Sequence, residues 1–210
     1  MKVKDDLEAR GLVLDIGGGR RQTYLQYAHS DLVRVVTMDI EPGPKVDVVA
    51  SATNMPLDRD SMDSVICFNV LEHIFDHRAA LAEICRVMKP AGELYGWVPF
   101  TIGVHGAPND YFRYTSSSLE KLLLESGLEP ICIECCGNVF LSSFDLLRPH
   151  IRGWFVGRVL RILCLCLALV GYPLHVGLKR LVGERSPTPD PSPSGIWFTA
   201  RVSAMQDRYG

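Results

Sequence analysis

The sequence predicts an α/β fold on a doubly wound, seven-stranded, mostly parallel sheet, and three observations predict it. Residues 13–19, Val-Leu-Asp-Ile-Gly-Gly-Gly, read as a buried strand that ends on an acid and runs into a glycine turn. A second acid, Asp39, closes the next apolar run, Arg34-Val-Val-Thr-Met-Asp-Ile40. Beyond it, short apolar runs alternate with segments of helical periodicity, as a parallel sheet with crossover helices requires.

Strands are expected near 12–16, 34–39, 46–50, 64–69, 92–98, 130–135 and 196–203, seven in all. One helix should follow the glycine turn. A second is expected over 76–88, where Asp76 is positioned as N-cap, Leu81, Ile84, Cys85 and Met88 share one face, and Pro90 stops the helix. A third is expected over 117–126, with Ser117 and Glu120 spaced as a capping box and Gly127 just past its end. No internal repeat is present.

The glycine turn and the two acids describe a nucleoside pocket. Glycines let the backbone approach a ligand at the carboxyl end of a strand, and a carboxylate on the next strand accepts hydrogen bonds from ribose hydroxyls. A dinucleotide fingerprint would need a third glycine, but Arg20, Arg21 and Gln22 follow Gly19. Asp15 would also repel a pyrophosphate, whereas it can hold a cationic amino group. A ligand with an ammonium group, a ribose and no phosphate fits better, and S-adenosylmethionine is that ligand. The plainer alternative is a tight turn with Asp15 capping the next helix.

Three further stretches extend the pattern. Val48-Val-Ala-Ser-Ala-Thr-Asn-Met-Pro-Leu57 is a short strand and a small-residue turn able to lie along an adenine. Ser64-Val-Ile-Cys-Phe-Asn-Val-Leu-Glu-His73 is a buried strand ending in a polar cluster. Arg86-Val-Met-Lys-Pro-Ala-Gly-Glu-Leu94 ends a helix and starts a strand. In this order and spacing, residues 10–136 and 196–203 resemble the class I, Rossmann-like S-adenosylmethionine-dependent methyltransferases, specifically the small bacterial type 11 group. The resemblance implies an enzyme whose last strand lies antiparallel between the fifth and sixth. It also implies S-adenosylmethionine as cofactor, held by Asp15, Gly17, Gly18, Gly19, Asp39, Ile40, Ser51, Ala52 and Asn69. The chain departs from the family pattern at Arg21, where the third glycine usually falls, and at Ser51, where many relatives place an acid. Residues 40–45 are also too short for the helix that many relatives carry there.

A second constellation is His105-Gly-Ala-Pro-Asn-Asp-Tyr-Phe-Arg-Tyr-Thr115, in the loop after the fifth strand. That loop lies above the carboxyl ends of the strands, where ligands bind in such sheets. It resembles a stretch of methyltransferases found among bacterial glycan and lipid biosynthesis enzymes. Methyl transfer to a hydroxyl needs a group that removes the proton. Histidine suits this because its ordinary pKa lies near neutrality. His105 is the first candidate, His73 the second, and Asp110 a supporting carboxylate. Tyr111, Arg113 and Tyr114 are candidates for substrate contact. The alternative is that Asp110 and Arg113 pair with each other while Tyr111, Phe112 and Tyr114 pack a lid.

Composition is compatible with this reading. At 210 residues and 47% hydrophobic, the chain can bury one substantial core. A formal net charge of −2 gives no reason to expect nucleic acid as partner. The 7 cysteines lack paired metal-ligand spacing, so reduced thiols and no metal site are expected. The first residues contain no apolar signal-like run, so no secretory signal and a cytoplasmic location are expected.

The expected layout is a core over 1–138, a hydrophobic helical insert over 139–185, a Pro-rich connector over 186–195, and a final strand and tail over 196–210. Within the insert, residues 162–174 are an unbroken apolar run, too short to cross a bilayer core of roughly 30 Å. Residues 145–185 carry seven Lys or Arg against two acids, a charge of +5 that leaves −7 for the rest. Apolar sequence with basic flanks over 154–182 reads as an element lying on the inner face of a membrane. The expected function is therefore methyl transfer, on oxygen, to an amphipathic or lipid-linked acceptor such as a glycan intermediate. One alternative is a soluble small-molecule methyltransferase whose insert makes a dimer. Another is a non-catalytic nucleoside-binding module recruited to membranes. The oligomeric state is left open.

Overall fold

The computed structural model describes residues 9–19, 33–137 and 193–203, together with residues 142, 143, 146, 158, 159, 162, 163 and 166. Seven strands form one sheet: β1 (Leu12–Ile16), β2 (Arg34–Asp39), β3 (Val48–Val49), β4 (Met62–Phe68), β5 (Met88–Pro99), β6 (Leu128–Cys136) and β7 (Gly195–Val202). Their order is β3-β2-β1-β4-β5-β7-β6. The first five pair in parallel, and β7 runs antiparallel to both β5 and β6. The expected insertion of the last strand between the fifth and sixth is present. β3 is only two residues long, less than the expected 46–50, because pairing stops after Asp39 meets Val49.

The central strands are apolar on both faces, as strands covered on both sides must be. Val13, Leu14, Val65, Ile66, Leu94 and Phe198 are fully buried. The helix His77–Val87 (α1) begins at Asp76, whose side chain accepts from the Ala79 amide at 3.1 Å. It lays Leu81, Ile84 and Cys85 against the sheet and stops at Met88, which is already extended, two residues before Pro90. The helix Ser116–Glu125 (α2) corrects the expected cap. Its box is Thr115 with Ser118, not Ser117 with Glu120. Thr115 Oγ1 accepts from the Ser118 amide at 3.2 Å, and Ser118 Oγ accepts from the Thr115 amide at 3.0 Å. A serine at the third helical position does the work of the usual glutamate. Gly127 ends the helix in the left-handed region, as expected.

The helix expected after the glycine turn lies outside the described residues, as do Arg20 and Arg21. So does nearly all of the 139–185 insert with its connector. Among the described residues, no helix is long and apolar enough to cross a membrane.

Candidate active site

Parallel pairing puts the ends of β1, β2 and β4 on one edge of the sheet. Asp15 is fully buried there, beneath the glycine turn. Gly17 takes φ +75, and its amide donates to the Met38 carbonyl at 2.7 Å, tying the turn to β2. A Cβ on Gly18 would stand 1.8 Å from Asp15 Oδ2, so only glycine lets the backbone lie this close to the acid. Asp39 accepts from the Gly19 amide at 3.2 Å through Oδ2 and from the Glu41 amide at 3.1 Å through Oδ1. The turn is a backbone cradle that side chains would fill, which is what a nucleoside approaching at close range requires.

The other expected cofactor residues lie past the carboxyl ends of β2, β3 and β4. Ile40 is exposed just past Asp39, and Ala52 is buried. Ser51 Oγ bonds Thr53 Oγ1 at 2.8 Å, and the Ser51 carbonyl accepts from the Asn54 amide at 3.0 Å. Asn69 sits past β4 with φ +54, and its amide donates to the Trp97 carbonyl at 2.9 Å. A Cβ on Gly17 would meet Val70 Cγ2 at 2.5 Å, so the turn packs directly against the segment leading to the catalytic candidates.

That segment is a single 3-10 turn, Leu71–His73. It is strapped to the loop after β5, because the Tyr111 and Phe112 amides both donate to the Glu72 carbonyl, at 2.9 and 3.3 Å. The strap brings His73 and His105 together with ring centroids 4.9 Å apart. Glu72 lies between them, fully buried, with each Nε2 3.8 Å from its Oε1. Neither Glu72 carboxylate oxygen has a hydrogen-bond partner among the described residues. Burial pushes its pKa up to about 7, against the pull of the Arg113 charge. Glu72 was not singled out from sequence, although it stands beside a candidate histidine at the end of a buried strand.

The loop itself follows the paired alternative. Arg113 grips Asp110 through both nitrogens, at 2.6 and 2.9 Å, and the His105 amide donates to Asp110 Oδ2 at 2.8 Å. The Arg113 hydrogen bonds hold the Asp110 carboxyl well below the usual carboxylate range, which suits it to hold the loop and not to take a proton. Tyr114 is buried and its hydroxyl donates to the Leu71 carbonyl at 3.0 Å, placing it in the core and not on an opening. Tyr111 stays exposed, with its ring 5.4 Å from that of Phe75.

The strand order and directions are those of the class I methyltransferase fold. Residues 14–96, from β1 through most of β5, match the family model described as a methyltransferase domain, the type 11 family. No curated protein matches the chain. Solved structures share the fold at low identity. A SAM-dependent methyltransferase from Methanosarcina mazei aligns with TM-score 0.55 and 14% identity over 96% of each chain. The 1,6-didemethyltoxoflavin-N1-methyltransferase of Burkholderia thailandensis, seen with 1,6-didemethyltoxoflavin and S-adenosylhomocysteine bound, aligns with TM-score 0.58 and 16% identity over 96% of this chain and 75% of its own. The [4+2]-cyclase SpnF aligns with TM-score 0.58 and 18% identity over 94% of this chain and 77% of that one. A cyclase among these neighbours illustrates that the fold alone does not choose the reaction. The methyltransferase assignment rests on the family match, and S-adenosylmethionine is the cofactor it carries.

Proposed function

We propose that the enzyme methylates a hydroxyl oxygen of an amphipathic, lipid-linked acceptor, such as a glycan intermediate, on the cytoplasmic face of a membrane. The carrying observation is the Glu72, His73 and His105 cluster beside the glycine turn, at the edge where an acceptor meets the cofactor. Bound S-adenosylmethionine supplies an electrophilic methyl carbon on a sulfonium. Asp15, the glycines, Asp39, Ile40, Ser51, Ala52 and Asn69 hold it in this reading. His105 takes the hydroxyl proton through Nε2, while Asp110 and Gly103 hold its other nitrogen.

Two observations support an amphipathic acceptor at a membrane surface. Phe75, Val104 and Tyr111 rim the cluster as exposed apolar side chains, 74%, 83% and 43% accessible. In the insert, Arg158, Val159, Ile162, Leu163 and Cys166 are helical and exposed, a basic residue beside apolar ones.

Turnover with labelled S-adenosylmethionine and a lipid extract, with and without anionic vesicles, tests the reading. Labelled lipid-soluble product, more of it with vesicles, is expected. His105→Ala should lower that turnover by about 10²–10⁴-fold at saturating cofactor. Equal activity on a water-soluble acceptor with no vesicle effect would instead favour a soluble enzyme whose insert pairs two copies.

A further inference from the structure

Glu72, His73 and His105 offer three ligand atoms within 4.8 Å of one another. We propose that they hold a divalent transition-metal cation, which binds and orients the acceptor hydroxyl. The metal site stands on geometry alone; only its role toward the acceptor rests on the O-methylation reading above.

Glu72 is fully buried, and neither oxygen finds a donor among the described residues. A buried carboxylate left so is costly, and a cation satisfies it. Both imidazoles present the same atom to it, each Nε2 standing 3.8 Å from Oε1. Metal bonds of about 2.0–2.2 Å set ligand atoms roughly 3–4 Å apart, so small side-chain rotations close the site.

The far side of each ring is already arranged for ligation. His73 Nδ1 faces the Asn109 carbonyl, which can only accept, so Nδ1 carries the proton and Nε2 keeps its lone pair. His105 Nδ1 lies 3.3 Å from the Gly103 carbonyl and 3.5 Å from Asp110 Oδ2, two further acceptors. Arg113 Nη2 is 3.4 Å from the same nitrogen, but it also donates to Asp110 and to Gly103. Ligating histidines are held in this way, with the second nitrogen bonded to a carbonyl or carboxylate. Gly106 completes the packing, since a Cβ there would meet His73 Cε1 at 2.8 Å.

Two imidazoles and one carboxylate favour Mn²⁺, Fe²⁺, Co²⁺ or Zn²⁺ over Mg²⁺ and leave positions open for substrate oxygen. On binding, the acceptor O–H bond breaks, its electron pair stays on oxygen facing the cation, and the proton leaves to water. Cation binding thus supersedes the base role that His105 has in the metal-free site: with Nε2 as ligand the proton goes to water, and His105→Ala lowers turnover by removing a ligand. The cysteine spacing gave no hint of this site, because its ligands come from two segments more than thirty residues apart.

The test titrates the full chain, stripped by chelation and dialysis, with Mn²⁺ alone, following free Mn²⁺ by paramagnetic resonance. One Mn²⁺ per chain is expected. Asp110→Asn should weaken it by roughly 10–100-fold, the usual effect of an outer-shell change, and Glu72→Gln and His105→Asn by more. Each variant is first titrated with S-adenosylmethionine, where retained affinity shows a folded chain. Absence of Mn²⁺ binding, or equal affinity in wild type and folded variants, overturns the proposal. Co²⁺ on the wild type gives a second reading, since a thiolate spectrum instead of nitrogen and oxygen ligation also overturns it. A chain that binds S-adenosylmethionine and no metal, or is fully active after stripping, keeps the transferase and loses the cation. A chain that binds Mn²⁺ but methylates no hydroxyl keeps the site and loses the O-methylation reading.

Discussion

One acid at each edge of the sheet, Asp63 and Glu72, is treated in the opposite way. At the amino-terminal edge, Asp63 gives both oxygens to partners: Oδ2 accepts from the Leu12 amide at 2.8 Å and Oδ1 from Lys89 Nζ at 2.7 Å. At the carboxyl-terminal edge, Glu72 is buried more deeply, yet neither oxygen is bonded among the described residues. Leaving a buried acceptor unpaired costs about 1–3 kcal/mol. A fold keeps such a group where the chemistry needs it, so the difference marks one edge as structural and the other as functional. The carboxyl edge divides again. Around Gly17 and Gly18 the backbone makes the cradle, while around Glu72 side chains from two segments make the cluster.

The largest expected effect is at the cradle. Gly17→Val puts a β-branched residue at φ +75 and drives its Cβ into Val70, 2.5 Å away. Affinity for S-adenosylmethionine should fall by more than about 100-fold, or about 2.7 kcal/mol, by calorimetric titration, while circular dichroism stays native. An unchanged affinity would remove the cofactor from this turn.

Glu72→Met should separate function from stability. It replaces an unpaired buried carboxylate with an apolar side chain of similar length. In metal-free protein the urea midpoint should rise, by about 1–3 kcal/mol in unfolding free energy, while methyl transfer is lost. A lower midpoint would mean that Glu72 is satisfied and that the two edges follow one rule.

Contiguous chemistry was legible in the sequence, and assembled chemistry was not. The glycine turn, Asp15 and Asp39 lie within two strands and their ends, so strand periodicity alone brought them to one edge. The place of β7 followed from the family resemblance, and Asp76 from its position before a helical run. The α2 cap was misread because Ser118 can fill the role of an acid three residues past Thr115, and a serine carries no such signal in sequence. Glu72 was passed over because its importance depends on losing every donor, which only tertiary packing decides. Tyr111 and Tyr114 look alike in sequence, yet the loop leaves Tyr111 in solvent and carries Tyr114 into the core.

The smallest effect tests the amino edge. The Asp63 carboxyl is held below its ordinary value, first by the Lys89 hydrogen bond and then by the Leu12 amide. A depressed pKa means that its stabilisation is fully present above the unfolded value, about 3.9, and is lost as pH falls through the folded value. Asp63→Asn removes the charge but leaves an oxygen for Leu12. The pair is substantially exposed, so the variant should lose less than about 1 kcal/mol near pH 7, and less still in high salt. Below about pH 4 the wild type should lose stability faster than the variant until their urea midpoints converge. S-adenosylmethionine affinity and turnover should match the wild type throughout. A loss of either in a variant that still folds would show that the amino edge reaches the site and that the two edges are not separable.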